Sequence, residues 1–304
     1  MKQRSISTQA VTIIYLLAVI FIGSLSLRAQ ETTPVLLQIA DRYWMQPDVV
    51  YGTANNTQLK LDIWYPRDST TPTPTVVFIH GGGWIFGAKE GAVYQLLPYL
   101  ERGWRAVNVE YRMAGNSLAP GAVEDVRCAV RWVFRNAKQW NFDTSKIVLT
   151  GQSAGGHLSL IAGMLPKGSP LDDRCYGDED LKVAAIVNWY GITDVNDLLQ
   201  GPDLKNYAKM WMGSQANSAV IARQASPLTY VSSDLPPIIT IHGDKDSVVP
   251  YSHATRLKAA LDEVHATNKL VTIKGGDHGM FTQDQYKMAY SEIWSFLREN
   301  KVIN

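Results

Sequence analysis

The chain is short of several things that would each point to a different class of protein. Among 304 residues there are two cysteines, Cys128 and Cys175, which allow at most one internal disulfide. Charge of either sign is not in excess: 29 basic side chains stand against 28 acidic ones, so nothing marks a nucleic-acid-binding surface. Neutral or weakly charged small molecules are therefore the expected partners. Internal repeats, low-complexity linkers and a separate carbohydrate-binding module are all missing. With 46% hydrophobic residues, the chain has enough apolar material for one large core.

The one long uncharged run lies at the N-terminus. Lys2 and Arg4 precede an uncharged stretch from Ser5 to Leu27, apolar at its centre, and Ala29 follows as a small residue at a cleavage position. This is the pattern of a secretory signal peptide over residues 1–29, which implies a periplasmic or secreted protein. An uncleaved anchor is the alternative, because Leu27 is poorly suited three residues before the cut. The apolar centre, however, is shorter than the about 20 residues a spanning helix needs. Loss of Lys2, Arg4 and Arg28 leaves 26 basic against 28 acidic side chains, a mildly acidic protein over residues 30–304 with no stable membrane association.

Beyond the leader, short apolar runs alternate with stretches of helical period. The runs are Lys60–Trp64, Thr75–Ile79, Arg105–Val109, Ile147–Thr150, Val183–Asn188, Ile238–Ile241 and Leu270–Ile273. Several lack polar alternation, as strands buried on both faces do. Val123, Val126, Val130, Val133 and Ala137 recur at helical spacing, and so do Tyr286, Ala289, Ile293 and Phe296. Strands alternating with helices mean crossover units and a mostly parallel sheet. The rhythm breaks between Trp189 and Ile238, where Asp203 to Gly213 is rich in aromatics and methionine. This reads either as a cap over a site or as an ordinary surface helix.

Three segments carry chemistry. Gly151-Gln152-Ser153-Ala154-Gly155 follows an apolar strand and precedes a helical stretch from Ala154 to Met164, the context of a nucleophile elbow. His80-Gly81-Gly82-Gly83-Trp84 follows another strand, and its glycines let backbone amides turn toward a developing oxyanion. Gly82, Gly83, Trp84 and Ala154 are the candidate donors. A serine nucleophile needs a base and an orienting carboxylate, which in chains with such an elbow follow it in the order acid, then histidine. Of six histidines, only His278 follows the last predicted strand, in a glycine-flanked loop. Asp244 and Asp246 both follow the strand Ile238–Ile241, and Asp194 is a weaker rival. A histidine base must be neutral to act, so activity is expected to rise with pH through about 6–7.

With these motifs in place, the chain resembles the α/β-hydrolase esterases that carry an HGGGW loop. This group includes bacterial carboxylesterases related to hormone-sensitive lipase and the acetylxylan and feruloyl esterases. The resemblance runs from about Val50 to the C-terminus, on HGGGW at 80–84, GQSAGG at 151–156, HGDKDSVVP at 242–250 and GGDHG at 275–279. It implies an α/β-hydrolase fold, with a mostly parallel eight-stranded sheet, helices on both faces and a small lid over about 195–225. It also implies a Ser153, Asp246, His278 triad and neither metal nor organic cofactor. Tyr111-Arg112 and Trp189-Tyr190-Gly191 match a wider group that includes arylformamidases and some peptidases.

The expected reaction is hydrolysis of carboxylic esters, with acetyl or feruloyl groups on plant polysaccharide as the best-fitting substrates. Trp84, Tyr190 and Trp211 are the expected substrate contacts. An exported peptidase or amidase with the same triad is the rival enzyme class, and a non-catalytic binding module is a third. Whether Cys128 and Cys175 pair, and in what oligomeric state the chain works, the sequence leaves open.

Overall fold

A computed structural model describes residues 35–175 and 177–304. The expected leader over residues 1–29 lies outside the described residues. The chain divides into two units, Met1–Trp44 and Met45–Asn304. The described part of the first is a helix over 35–42 and the opening residues of a strand. Among the described residues, no helix is long and apolar enough to cross a membrane.

The second unit is built on a sheet of eight strands. These are β1 (Tyr43–Ala54), β2 (Thr57–Pro66), β3 (Thr73–Ile79), β4 (Arg105–Val109), β5 (Phe142–Gln152), β6 (Ala185–Trp189), β7 (Ile238–Gly243) and β8 (Asn268–Ile273). Their order in space is β1-β2-β4-β3-β5-β6-β7-β8. β2 pairs antiparallel with β4, while every pairing from β4 through β8 is parallel. β1 and β2 meet at Asn55-Asn56, both with positive φ (48° and 57°), as a two-residue hairpin turn requires.

Each of β4, β6 and β7 is buried along its length, which is why they read as predominantly apolar runs without regular polar alternation. The principal helices are α1 (Val93–Leu100), α2 (Gly121–Arg135), α3 (Ala154–Met164), α4 (Asn206–Met212), α5 (Ser218–Gln224), α6 (Ser252–Glu263) and α7 (Gln283–Glu299), and they cover both faces of the sheet. α7 opens with a capping box, in which Thr282 accepts from the Gln285 amide and the Gln285 side chain accepts from the Thr282 amide. Cys128 on α2 and Cys175 form a disulfide, with Cα atoms 5.4 Å apart. The parallel strands β3, β5, β6, β7 and β8 all end at one rim of the sheet, where ligands bind in folds of this kind.

Candidate active site

Ser153 sits between β5 and α3 with φ 57° and ψ −119°. An L-residue pays for that conformation in steric strain, and here the Ser153 amide donating to Trp189 O at 2.9 Å helps to hold it. The turn is tight because α3 starts almost on top of the sheet. A Cβ at Gly155 would collide with the carbonyl oxygens of Ile79 and His80, and one at Gly156 with Asn188 Oδ1. The two glycines after Ser153-Ala154 are therefore a packing requirement of the elbow.

The loop after β3 faces the elbow. Gly82 and Gly83 have positive φ, and so does Trp84 (61°), a strained state for a bulky residue. Among the described residues, the N–H groups of Gly82, Gly83, Trp84 and Ala154 have no hydrogen-bond acceptor. The Ala154 amide heads α3, where the helix dipole adds to its pull on negative charge. The Tyr111-Arg112 pair, matched above only to the wider group, braces this loop. Tyr111, just beyond β4, stacks on His80 at 4.3 Å and donates to His80 O at 3.1 Å. Next to it, Arg112 grips Asp125 of α2 through Nε and Nη2 at 2.8 and 2.7 Å, both residues being buried.

At the other end of the rim, His278 Nδ1 donates to Asp246 Oδ2 at 2.7 Å. Asp246 Oδ1 accepts the amides of Val248 and Val249 at 2.9 and 2.8 Å. Burial opposes ionisation of Asp246, but hydrogen bonds from His242 and His278, the field of His278 and the Val249 amide outweigh it. Its carboxyl is held well below the usual range. Asp244, the competing acid, instead accepts the Gly275 amide at 2.7 Å and so ties the loop after β7 to the loop after β8. Asp194 pairs with Arg256. A residue that motif reasoning missed, Asp277, makes a second tie: its Oδ1 accepts from the Ser247 amide and hydroxyl, both at 2.8 Å, and from the His278 amide at 2.7 Å.

These parts enclose one cavity of about 340 Å³, lined by Gly81, Gly82, Gly83, Phe86, Gln152, Ser153, Tyr190, Tyr207, Val248 and His278. Ser153 and His278 share it without a hydrogen bond between them among the described residues. The walls other than the glycine loop are mainly aromatic and aliphatic, with His278 the one imidazole among them.

Two of the three expected substrate contacts need correction. Trp84 is fully buried, stacks on Trp211 at 4.1 Å and donates through Nε1 to His157 Nδ1 at 3.2 Å. Trp211 is fully buried as well, so neither ring lines the cavity. The two indoles pack on each other and on His157 instead of on the cavity. Tyr190 does line the cavity, edge-on to His278 at 4.6 Å. From the segment expected to be a lid, it is Tyr207 of α4 that reaches the cavity, while Leu198, Ala208, Met212, Ile221 and Ala222 of the same segment are buried. Among the described residues, no cluster of His, Cys, Asp and Glu is placed to hold a metal ion.

A strained serine between strand and helix, at the carboxyl rim of a mostly parallel eight-stranded sheet, defines the α/β-hydrolase class. The BD-FAE family profile matches residues 61–261, and the chain belongs to this α/β-hydrolase esterase family. It is 32% identical over 241 residues to a probable carboxylic ester hydrolase, LipM, of Mycobacterium tuberculosis. That match covers 77% of this chain but 55% of LipM, so the chain spans about half the length of that relative. Among solved structures, a truncated carbohydrate esterase from gut microbiota superposes with a TM-score of 0.71 at 27% identity, over 86% of this chain and 97% of that one. Thermogutta terrifontis esterase 2, phosphoramylated by tabun, gives 0.70 at 26% identity, over 84% and 94%.

Proposed function

We propose that the chain is a serine carboxylic-ester hydrolase acting through Ser153, His278 and Asp246. The observation that carries this reading is the 2.7 Å Asp246–His278 bond opening on a cavity that also holds Ser153 and the glycine loop. In the reaction, Ser153 Oγ attacks the ester carbonyl carbon as its proton passes to His278 Nε2. The oxyanion lies against the amides of Gly82, Gly83 and Ala154. His278 then gives the proton to the departing alkoxide, leaving an acyl-enzyme. Water repeats the sequence, with His278 as base, and frees the acid.

For the substrate, short acyl groups such as acetyl, or feruloyl, on plant polysaccharide are the reading favoured. Support comes from the neutral, aromatic-lined cavity, which suits an uncharged acyl group, and from the likeness to a carbohydrate esterase. Export by the N-terminal leader, with cleavage after Ala29, fits a polymeric substrate outside the cell. Mass measurement of the exported protein tests that cleavage.

Ser153→Ala is expected to remove p-nitrophenyl acetate hydrolysis by about 10³-fold or more with the melting temperature unchanged. Near wild-type turnover by that variant would overturn the assignment. A panel of p-nitrophenyl acetate, methyl ferulate, acetylated xylan and an aminoacyl amide ranks substrates by kcat/KM, and preference for the amide would replace the esterase reading with an amidase one.

A further inference from the structure

Asp246 touches a second imidazole, one that the reaction above does not use. His242 lies near the end of β7, fully buried. Its Nε2 stands 3.2 Å from Asp246 Oδ2 and 3.0 Å from the carbonyl oxygen of Val249. Both neighbours are acceptors, so Nε2 must carry a hydrogen and donate. Nδ1 meets no hydrogen-bond partner among the described residues, and a second N–H there would be buried and unpaired. The ring is thus the neutral Nε2–H tautomer.

This completes the surroundings of the carboxylate. Oδ1 takes the two amides of Val248 and Val249, and Oδ2 takes His278. The one N–H of His242, directed at Val249 O, is shared with Oδ2 at 3.2 Å, so each side of the carboxylate faces donors. The aromatic rings of Tyr190 and Tyr251 lie edge-on to His242 at 6.5 and 5.7 Å, which limits its own rotation.

We propose that His242 is a positioning residue of the ester hydrolysis, fixing the rotation of the Asp246 carboxylate and drawing charge from the oxygen that faces His278. The proposal rests on the triad reading above. When Ser153 passes its proton to His278 Nε2, positive charge develops on a ring whose Nδ1–H already points at Oδ2. The amides of Val248 and Val249 and the nearby His242 N–H spread the charge of Asp246, so the carboxylate is a weak base, the proton stays on Nδ1, and stabilisation comes from the charge pair. Without the His242 donor, Oδ2 carries more charge and the carboxylate is held only by the two amides on Oδ1 and by His278. The imidazolium is then held more tightly before the reaction starts, and its ring is aimed less well during it.

The other titratable groups around His242 are Asp246 and His278, Tyr190 beyond β6, and Tyr251 and His253 at the start of α6; Thr272 is its neighbour on β8. Arg256 and Asp194 act on His253 from farther out. A change seen on altering His242 therefore has to be read at His278 itself, through the pH dependence of the reaction.

The test uses the full chain, p-nitrophenyl acetate, and pH 5 to 9, with functional sites counted by a fluorophosphonate label so that misfolded protein drops out. His242→Leu keeps bulk and loses the donor; His242→Gln places an amide N–H near the Nε2 position. The Leu variant is expected to lose about tenfold in kcat per labelled site, the worth of a hydrogen bond to a charged group. The acid limb of its kcat/KM profile is expected to move up by about half a pH unit or more, and the Gln variant to restore it. A Leu variant with the wild-type acid limb, or Leu and Gln variants alike in both readouts, overturns the proposal. Should the Leu variant fail to fold, His242→Asn, whose amide is too short to reach Asp246, takes its place and is judged in the same way. Failure of the triad reading shows separately, as hydrolysis and labelling that survive in Ser153→Ala.

Discussion

The two walls of the cavity are held by different means. On the oxyanion side, Trp84, Trp211, His157, Tyr111, Arg112 and Asp125 are all buried, and the loop is locked by ring stacking and desolvated hydrogen bonds. On the acid–base side the Asp246 side chain itself is buried, but the loop that carries His278 is tied by Asp277 to Ser247 and by Asp244 to Gly275, at or near the surface, and His278 keeps 18% of its side chain exposed. On the proposed mechanism, the contrast matches the work of each wall. Amides that must receive a developing charge are useful only if they need not reorient, and close packing holds a backbone still. A histidine that accepts and returns a proton needs some freedom and access to water.

The largest test of this contrast is Trp211→Ala. Emptying a fully buried indole is expected to cost about 3–5 kcal/mol in urea unfolding, with a further loss of kcat because Trp84 loses its stacking partner. A variant with normal stability would show that α4 does not brace the loop.

Next comes acid. His157 has its Nδ1 committed to Trp84 and its Nε2–H to Ala225 O at 2.7 Å. Burial pushes its pKa down from 6.5 to about 4, against a smaller upward pull from the Ala225 carbonyl. Between these values the unfolded chain binds a proton that the folded one refuses, so stability falls as pH falls from 6.5 to 4, by about 3 kcal/mol. His253 is pushed down to about 3 by burial and by Arg256 and adds to the same slope. Asp246, with its pKa lowered, keeps its contribution throughout this range and loses it only further down. Melting curves at several pH values check the drop, and a slope no flatter in His157→Phe would remove His157 from the account.

The smallest effect is expected from Asp277→Ala on the open wall. It should lower kcat through a looser His278 loop while the melting temperature moves little, since the ties it makes lie near the surface. Equal damage from Asp277→Ala and Trp211→Ala would erase the distinction between the walls.

Much of this arrangement was readable before the fold was seen, for reasons that differ by element. The buried strands β3 and β4 show as continuous apolar runs, and α3 begins where the glycine–serine pattern says it must. β1 does not show: it carries Pro47 and Asp48, is largely exposed, and so lacks any hydrophobic period. Both Asp244 and Asp246 follow β7, and only geometry shows that Asp246 meets His278 while Asp244 meets a backbone amide. The aromatic residues near the glycine loop could be counted in the sequence, but not assigned a side. Trp84 and Trp211 turn inward, and Phe86 and Tyr207 line the cavity. The roles of His157 and His242 were hidden for a different reason. His157 bonds to Trp84 and Ala225, 73 and 68 residues away, and His242 is defined by a carboxylate whose own partner lies on another strand end.

The disulfide has a consequence for the nucleophile. Cys128 and Cys175 close a loop with a sequence separation of 47, and that loop contains β5, the elbow at Ser153 and α3, but neither Asp246 nor His278. By chain entropy, a cross-link of that span is worth about 4 kcal/mol. Because a cross-link acts by restricting the unfolded chain, reduction would withdraw that stabilisation from the folding unit as a whole, Ser153, Asp246 and His278 together. The redox poise of the surroundings is therefore a variable of the frame that carries the serine, even though neither cysteine touches the cavity.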